Sequence, residues 1–376
     1  MVAVDEVQAH AAALAGLSGM TPVRLAKVLD GHGPVTALHA LRAGTHPGDP
    51  RRRFQRPARQ ADPAEVARRY EGAGVDVLLP GRLGYPSRLI GDPGAPAVLF
   101  SIGDPSVLEG RPRVAIVGTR SATPYGRQVA SELAAEVSDH GVTVVSGLAL
   151  GIDAAAHAGV LRSGGEHPAP PVAVVGTGLD VVYPASNRGL WDQVARAGAV
   201  LAESPLGTPP HPGVFPARNR IIAALSDIVV VVESHLQGGS LYTAEAAARR
   251  SIPVCAVPGS VRSPSSAGTN SLLVDGCTPV RDATDVLVAL GLAGAGDPDR
   301  PRRPVGTRGS SPGGGRGDEP MTPSQQAVLA AVEDQPTVLE TILLRTGLSI
   351  AQVAVACDEL VVSEVLLCGP GWWSRA

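Results

Sequence analysis

From residue 113 onward the chain alternates short Val- and Ile-rich runs with Ala-rich stretches whose apolar positions recur at helical spacing. Apolar runs of four to eight residues closed by Gly are what strands buried on both faces look like, and parallel sheets bury both faces. The pattern predicts strands at RVAIVG (113–118), VTVVSG (142–147), PVAVVG (171–176), GAVLAE (198–203), DIVVVVE (227–233) and IPVCAVPG (252–259). Helices are predicted near 125–139, 151–162, 187–197, 218–225 and 240–250. Strand and helix in strict alternation predict an α/β fold, a Rossmann-like doubly wound, mostly parallel sheet.

The flanks read differently. Residues 7–43 predict short helices: VQAHAAALAGL, then TPVRLAKVL with Thr21 as N-cap and Pro22 in the first helical position, then PVTALHALRAG. Residues 44–62 are Pro- and Arg-rich without apolar periodicity and predict a loop or mobile linker. Residues 293–321 hold almost no large apolar side chain, too little buried surface to offset the entropy of ordering, and predict a flexible tether. Beyond it, TPSQQAVLAAV, VLETILLRTG and SIAQVAVACDELVV predict three helices, and EVLLCGPGWWSRA a β-ribbon, the element order of a winged helix. The domain organisation expected is thus a helical region with its Arg/Pro-rich linker (1–75), an α/β domain with a lead-in segment at 76–112 (76–292), a tether (293–321) and a winged-helix domain (322–376).

Composition narrows the function classes. A formal net charge of −3 over 376 residues excludes a globally basic nucleic-acid binder, so any such site must be a local patch. Lys27 is the only lysine among 32 basic residues, and Arg is the better fork for phosphate oxygens. The four cysteines form no CxxC pair, so neither a zinc site nor a disulfide framework is indicated, and buried reduced thiols are expected. Asp5 and Glu6 stand where a signal peptide needs positive charge, and no uncharged apolar run reaches the ~18 residues of a membrane span. The expectation is a cytoplasmic protein with no membrane partner.

The candidate chemistry sits in the loops that follow the predicted strands. GTRSATPYG (118–126) places Gly118, Thr119 and Arg120 between a strand and a helix N-terminus, a geometry that serves either as an anion cradle or as a plain structural turn. It lacks GxGxxG, so no dinucleotide cofactor is expected. SGLALGIDAAAH (146–157) repeats the device with Ser146 and Gly147; Asp153 is either a helix-capping carboxylate or a catalytic one, and His157 lies one turn further on. In TGLDVVYP (177–184), Asp180 caps the loop or meets a ligand, and Tyr183 and Pro184 fix a turn. The strongest polar constellation is FPARNR, where Phe215 can stack on a base while Arg218 and Arg220 flank Asn219. Gly238, Gly239 and Ser240 then precede a helix carrying Thr243. Several cradles along one sheet edge fit a polyphosphate-like ligand better than a single nucleotide.

Taken in order, VGTRSATPYG, SGLALGIDAAAH, VVGTGLDVVYP, FPARNRIIAALSD, VVVVE, GGSLYTAEAA, VPGS and GTNSLLVDGC resemble the DprA/Smf family of DNA-processing proteins. LGYPSRLIGDPGAPAVLFSIGD (83–104) is similar to that family's lead-in segment. The N-terminal helices more loosely resemble its sterile-alpha-motif-like domain, and the C-terminus its winged helix. The resemblance implies a bacterial homodimer that binds and protects single-stranded DNA in natural transformation and loads the RecA recombinase, without a catalytic step. Carried over by motif, it implies a DNA pocket of Gly118, Thr119, Arg120, Ser146, Gly147, Phe215, Arg218, Asn219 and Arg220, with Gly239 and Ser240 nearby. The chain departs from the family at GGSLYT, where SGSLIT is common, at Ala224 and at Cys277. SIAQVAVACDELVV carries no Lys or Arg, so a packing or protein-binding role is expected for 322–376. The competing reading is a nucleotide N-glycosidase resembling the phosphoribohydrolases, with Thr243 and Glu245 in the GGSLYTAE loop and Glu233 as general base.

Overall fold

The structure is a computed structural model that describes residues 3–211, 213–292, 321–332, 337–348, 352–353, 356–357, 360, 365–369 and 372–375. Residues 1–303 and 304–376 form two compact units.

The first unit opens with five helices whose ends follow local rules. In α1 (Glu6–Ala15) the Asp5 side chain caps the Gln8 amide and Gln8 reaches back to the Asp5 amide, which satisfies two otherwise unpaired donors. Thr21 caps α2 (Pro22–Leu29) as predicted. Then come α3 (Pro34–Ala43), α4 (Gln55–Gln60) and α5 (Pro63–Ala73), the last capped by Asp62. Element α4 corrects the reading of 44–62 as a loop or mobile linker. Phe54 is 3% exposed and Ala58 fully buried, both in the core. The Asp49 carboxylate takes the Arg53 and Phe54 amides, and Arg42 donates to the Ala58 and Ala61 carbonyls. One aromatic anchor and a carboxylate cap organise a segment that shows no periodicity.

The sheet is built from β1 (Asp76–Leu78), β2 (Leu99–Gly103), β3 (Arg113–Val117), β4 (Thr143–Ser146), β5 (Val172–Val175), β6 (Ala199–Ala202), β7 (Ile228–Val231), β8 (Val254–Ala256) and β9 (Thr278–Pro279). The helices between them are α6 (Pro124–Asp139), α7 (Ile152–Leu161), α8 (Arg188–Ala197), α9 (Val214–Leu225), α10 (Leu241–Ala248), α11 (Ala267–Val274) and α12 (Ala283–Leu292). Strand order is β1-β2-β6-β5-β4-β3-β7-β8-β9. The ladder from β6 to β9 is parallel, while β1 on β2 and β2 on β6 are antiparallel. The α/β, Rossmann-like reading holds, and all six predicted strands form. The lead-in segment adds β1 and β2 to one edge, and β9 extends the other.

Alternation sorts each strand's side chains onto two faces. Val114, Ile116, Val144, Ile228 and Val230 pack with α6, α7 and α12, whereas Ala115, Val117, Val145, Val172 and Val229 pack with α9 and α10. At the β2–β6–β5 end, Leu14, Leu38, Leu41, Phe54 and Tyr70 share one core with Phe100, Val200 and Trp191. Tyr70 stacks on Phe100 at 5.1 Å and its hydroxyl accepts the Leu206 amide, so the N-terminal helices are braced on the sheet. Cys255 is buried, which pushes its thiol up to about 12, and Cys277 is half-buried.

In the second unit lie α13 (Pro323–Ala331), β10 (Thr337–Val338), α14 (Leu339–Thr346), β11 (Leu366–Gly369) and β12 (Trp372–Arg375), with strand order β10-β12-β11. Val328, Val332, Ile342 and Leu366 are among its own core residues. The tether expected at 293–321 lies, except for Met321, outside the described residues, as does most of the third predicted helix.

Candidate nucleic-acid interface

Strand ends on the carboxyl side of the sheet feed loops that hold Gly118, Thr119, Arg120, Gly147, Gly239 and Ser240, while Ser146 ends β4 and Phe215, Arg218, Asn219 and Arg220 lie in α9. Two of the predicted anion cradles already contain the protein's own carboxylates. At the start of α6, Glu233 accepts the Thr123 amide at 2.9 Å and the Thr123 hydroxyl at 2.6 Å. The Thr119 amide is taken by the Glu233 carbonyl at 2.7 Å. A Cβ on Gly126 would sit 2.3 Å from that carboxyl carbon, and one on Gly118 would sit 2.5 Å from Ile152. These glycines admit close packing, and the helix dipole is served by an internal anion.

The second cradle is filled from below. Asp153 is buried in the first turn of α7, where burial pushes its carboxyl up while Arg218 and the Ala149 backbone pull it back. Arg218, 6% exposed, donates through Nη1 to the Gly147 carbonyl at 2.6 Å and to the Val174 carbonyl, with Nη2 3.9 Å from Asp153. A Cβ on Gly147 would meet this guanidinium at 2.3 Å. His157 is fully buried, with no hydrogen-bond partner in good geometry among the described residues; burial and the Arg218 charge lower its pKa to about 3. The helical pair Asp153 and His157 does not form an acid–base couple. Leu148 holds φ 54°, a conformation costly for a branched side chain, and Asn187 Nδ2 donates to its carbonyl at 2.9 Å.

The remaining predicted residues range from buried to exposed. The Ser146 hydroxyl, buried, donates to the Ile116 carbonyl. Asn219 accepts from Arg218 Nε and donates to the Gly239 carbonyl, which ties α9 to the loop before α10. Arg220 is paired with Glu203 at 2.6 Å, and burial raises the Glu203 carboxyl against that pull. Ser240 is buried and bonded to the Ser234 hydroxyl. Thr119 accepts the Ser121 amide. Asp180 accepts the Gly207 amide from the loop after β6 and pairs with Arg69, so it ties two loops together instead of capping its own. Arg120 is exposed and Phe215 half-buried, and the Arg120 guanidinium lies 4.4 Å from the centroid of the Phe215 ring. Tyr183, read from sequence only as a turn residue, brings its ring centroid to 5.6 Å from Phe215 and is 43% exposed. The signal for it was an aromatic at a strand-end loop, which gains meaning only when α9 delivers a second ring.

Arg120, Gly147, Leu150, Gly176, Tyr183 and Phe215 line a shallow cleft of about 50 Å³. Sites that enclose small molecules run to ~300–1,000 Å³, so this cleft is a platform too small to enclose one, and Tyr183 at its rim is 43% exposed. Neither carboxylate of the hydrolase reading reaches it: Glu233 is spent on Thr123, and Glu245 is exposed and paired with Arg249. Thr243 is buried. Among the described residues no group of His, Cys, Asp and Glu could hold a metal ion, and no helix is long and apolar enough to cross a membrane.

Comparison with known proteins agrees with this geometry. Residues 76–291 match the family described as DNA recombination-mediator protein A. The chain is 34% identical over 336 residues to Protein Smf of Synechocystis sp., covering 82% of each chain. It is 40% identical over 193 residues to the DNA processing protein DprA of Streptococcus pneumoniae, covering 51% of this chain and 66% of that one. The solved structure of DNA processing protein A from Streptococcus pneumoniae superposes with a TM-score of 0.64 at 32% identity over 76% of this chain and 98% of that chain. Its counterpart from Helicobacter pylori, solved to describe a single-stranded DNA binding mode, superposes with a TM-score of 0.50 at 30% identity over 57% and 95%.

Proposed function

Because the chain belongs to the DNA recombination-mediator protein A family, we propose that it binds single-stranded DNA without sequence preference and loads the recombinase RecA onto it, as a cytoplasmic homodimer with no catalytic step of its own. The observation that carries this reading is the row of Arg120, Phe215 and Tyr183 at the carboxyl edge of the sheet. Every base has a π-face, so an exposed ring accepts any of them, and a guanidinium beside it meets the adjoining phosphate. Gly118, Gly147, Arg218 and Asn219 then act as the frame that presents this row, through close packing and buried hydrogen bonds. We read residues 322–376 as a winged-helix module that meets protein instead of DNA. The Helicobacter pylori relative's single-stranded DNA binding mode supports the assignment of ligand.

The test is a fluorescence anisotropy titration of labelled oligo-dT, a mixed-sequence single strand and a duplex. The wild type is expected to bind both single strands with similar affinity and the duplex more weakly. Phe215→Ala is expected to weaken single-strand binding about tenfold, the worth of one stacked base. Arg120→Gln should lower the salt slope of log K by about 0.7, one phosphate contact on a single strand. Unchanged affinity in both variants would reject the platform. Faster RecA filament growth on coated single strands in the presence of the protein tests the loading step.

A further inference from the structure

We propose that the single strand, once seated at Phe215, runs on over the outer groove between α6 and α7, where Arg127 and Arg162 hold its phosphates. This rests on the single-stranded DNA reading of the platform and extends it to a second contact region. Helices α6 and α7 cross so closely that a Cβ on Gly159 would lie 2.2 Å from the Ser131 carbonyl oxygen. Their approach leaves a groove of about 330 Å³ with Ala155 and Ala158 in its lining and the two arginines beside them.

Both guanidiniums are exposed, and neither forms an ion pair among the described residues. Arg127 donates to the Ala122 carbonyl and Arg162 to the Ser131 hydroxyl, neutral acceptors that orient a guanidinium without cancelling its charge. The other arginines around the platform are differently placed, since Arg218 is buried beside Asp153 and Arg220 is bound to Glu203. The one carboxylate lining the groove, Glu132, accepts from Gln128.

The groove and the platform have no lining residue in common, and the entry loops of α6 and α7 connect them. The groove's upper residues, Arg127 and Ala155, lie in the first turns of α6 and α7, whose entry loops are those of Arg120 and Leu150. Those loops touch: the space beside Gly151 is closed by the carbonyls of Thr119 and Arg120, and the Ile152 amide donates to Thr119. From Ala155 to Arg162 the helix rises about 10 Å, room for about two backbone phosphates. No aromatic ring lines the groove. It therefore grips the backbone and leaves bases free, in keeping with binding that ignores sequence.

The experiment measures anisotropy of labelled dT4 and dT20 with the full chain over a series of salt concentrations, using wild type, Arg127→Gln/Arg162→Gln, Glu132→Gln and Arg120→Gln. The arginine pair variant is expected to bind dT20 about tenfold more weakly, with the salt slope lower by about 1.4 for two lost contacts on a single strand, and dT4 with less than a twofold change. Glu132→Gln, which removes the opposing charge, should bind dT20 two- to threefold more tightly. Loss of dT4 and dT20 binding in Arg120→Gln with dT20 unaffected in the pair variant would overturn the groove and leave the platform standing. If no variant alters either oligomer, both are overturned. An equal loss for dT4 and dT20 in the pair variant would also overturn the groove, since a strand of four cannot span platform and groove together.

Discussion

At the scale of single residues, the site turns on which arginines keep their charge for a ligand. Arg218 looks from sequence like a phosphate grip, yet its guanidinium is committed to the Gly147 and Val174 carbonyls and to the Asp153 field. Replacing it strips a buried carboxylate of its counter-ion, a loss of ~3–5 kcal/mol, so an Arg218 variant reports folding and Arg120 is the residue whose change reports binding. His157 beneath it makes stability depend on pH. Its folded pKa of about 3 lies below its ordinary 6.5, so the unfolded chain binds the extra proton between those values. The stability it lends is full above pH 6.5 and is lost as pH falls toward 3. Between pH 7 and pH 5 this loss is about 2 kcal/mol, by the linkage of ~1.4 kcal/mol per pH unit within that window. Asp153, with its carboxyl raised, acts with the opposite sign. Urea denaturation of wild type and His157→Leu at the two pH values isolates the histidine: the variant's loss should be smaller by that amount.

At the scale of elements, two features show how tertiary contacts complete what local patterns begin. Helix α6 starts at Pro124, one residue before the predicted 125, with Thr123 as its cap, and Glu233 arrives from the end of β7 to take the Thr123 amide and hydroxyl. An internal carboxylate at a helix start offsets the dipole that would otherwise attract a ligand anion. Element α4 forms although Phe54 is flanked by Arg51, Arg52, Arg53, Gln55, Arg56 and Pro57. Phe54 packs into the core shared by the N-terminal helices and the sheet. Phe54→Ala is therefore expected to cost ~3–5 kcal/mol in urea denaturation, the range for a buried aromatic cut to alanine. A solvated linker at this position would register less than ~0.5 kcal/mol, as surface substitutions do.

At the scale of the whole molecule, the two compact units hold separate cores, and the platform and the α6/α7 groove lie wholly within residues 1–303. A chain ending at residue 303 is expected to bind dT20 within threefold of the full chain in the same anisotropy titration. A loss greater than tenfold would assign DNA contact to residues 304–376. The parallel strands from β6 to β9 deliver their following loops to the same side, which puts the platform at the carboxyl edge of the sheet, while the groove lies on the α6 and α7 layer beside it.

The amino-acid sequence by itself determined the alternation of strand and helix, the buried parallel sheet, the loops that carry the site and the family. Each of these is written in runs of a few neighbouring residues, where apolar period, caps and glycines act locally. The short antiparallel strands β1 and β2 and the packed segment around Phe54 were not legible, since their order comes from surfaces supplied elsewhere. Nor was the division of the arginines into braces and contacts. Arg218 meets Gly147 across 71 positions of sequence, and Thr123 meets Glu233 across 110. Whether a charge is free for a ligand depends on what lies within a few ångströms of it, and only the closed tertiary structure, which buries Arg218 and leaves Arg120 on the Phe215 ring, decided that.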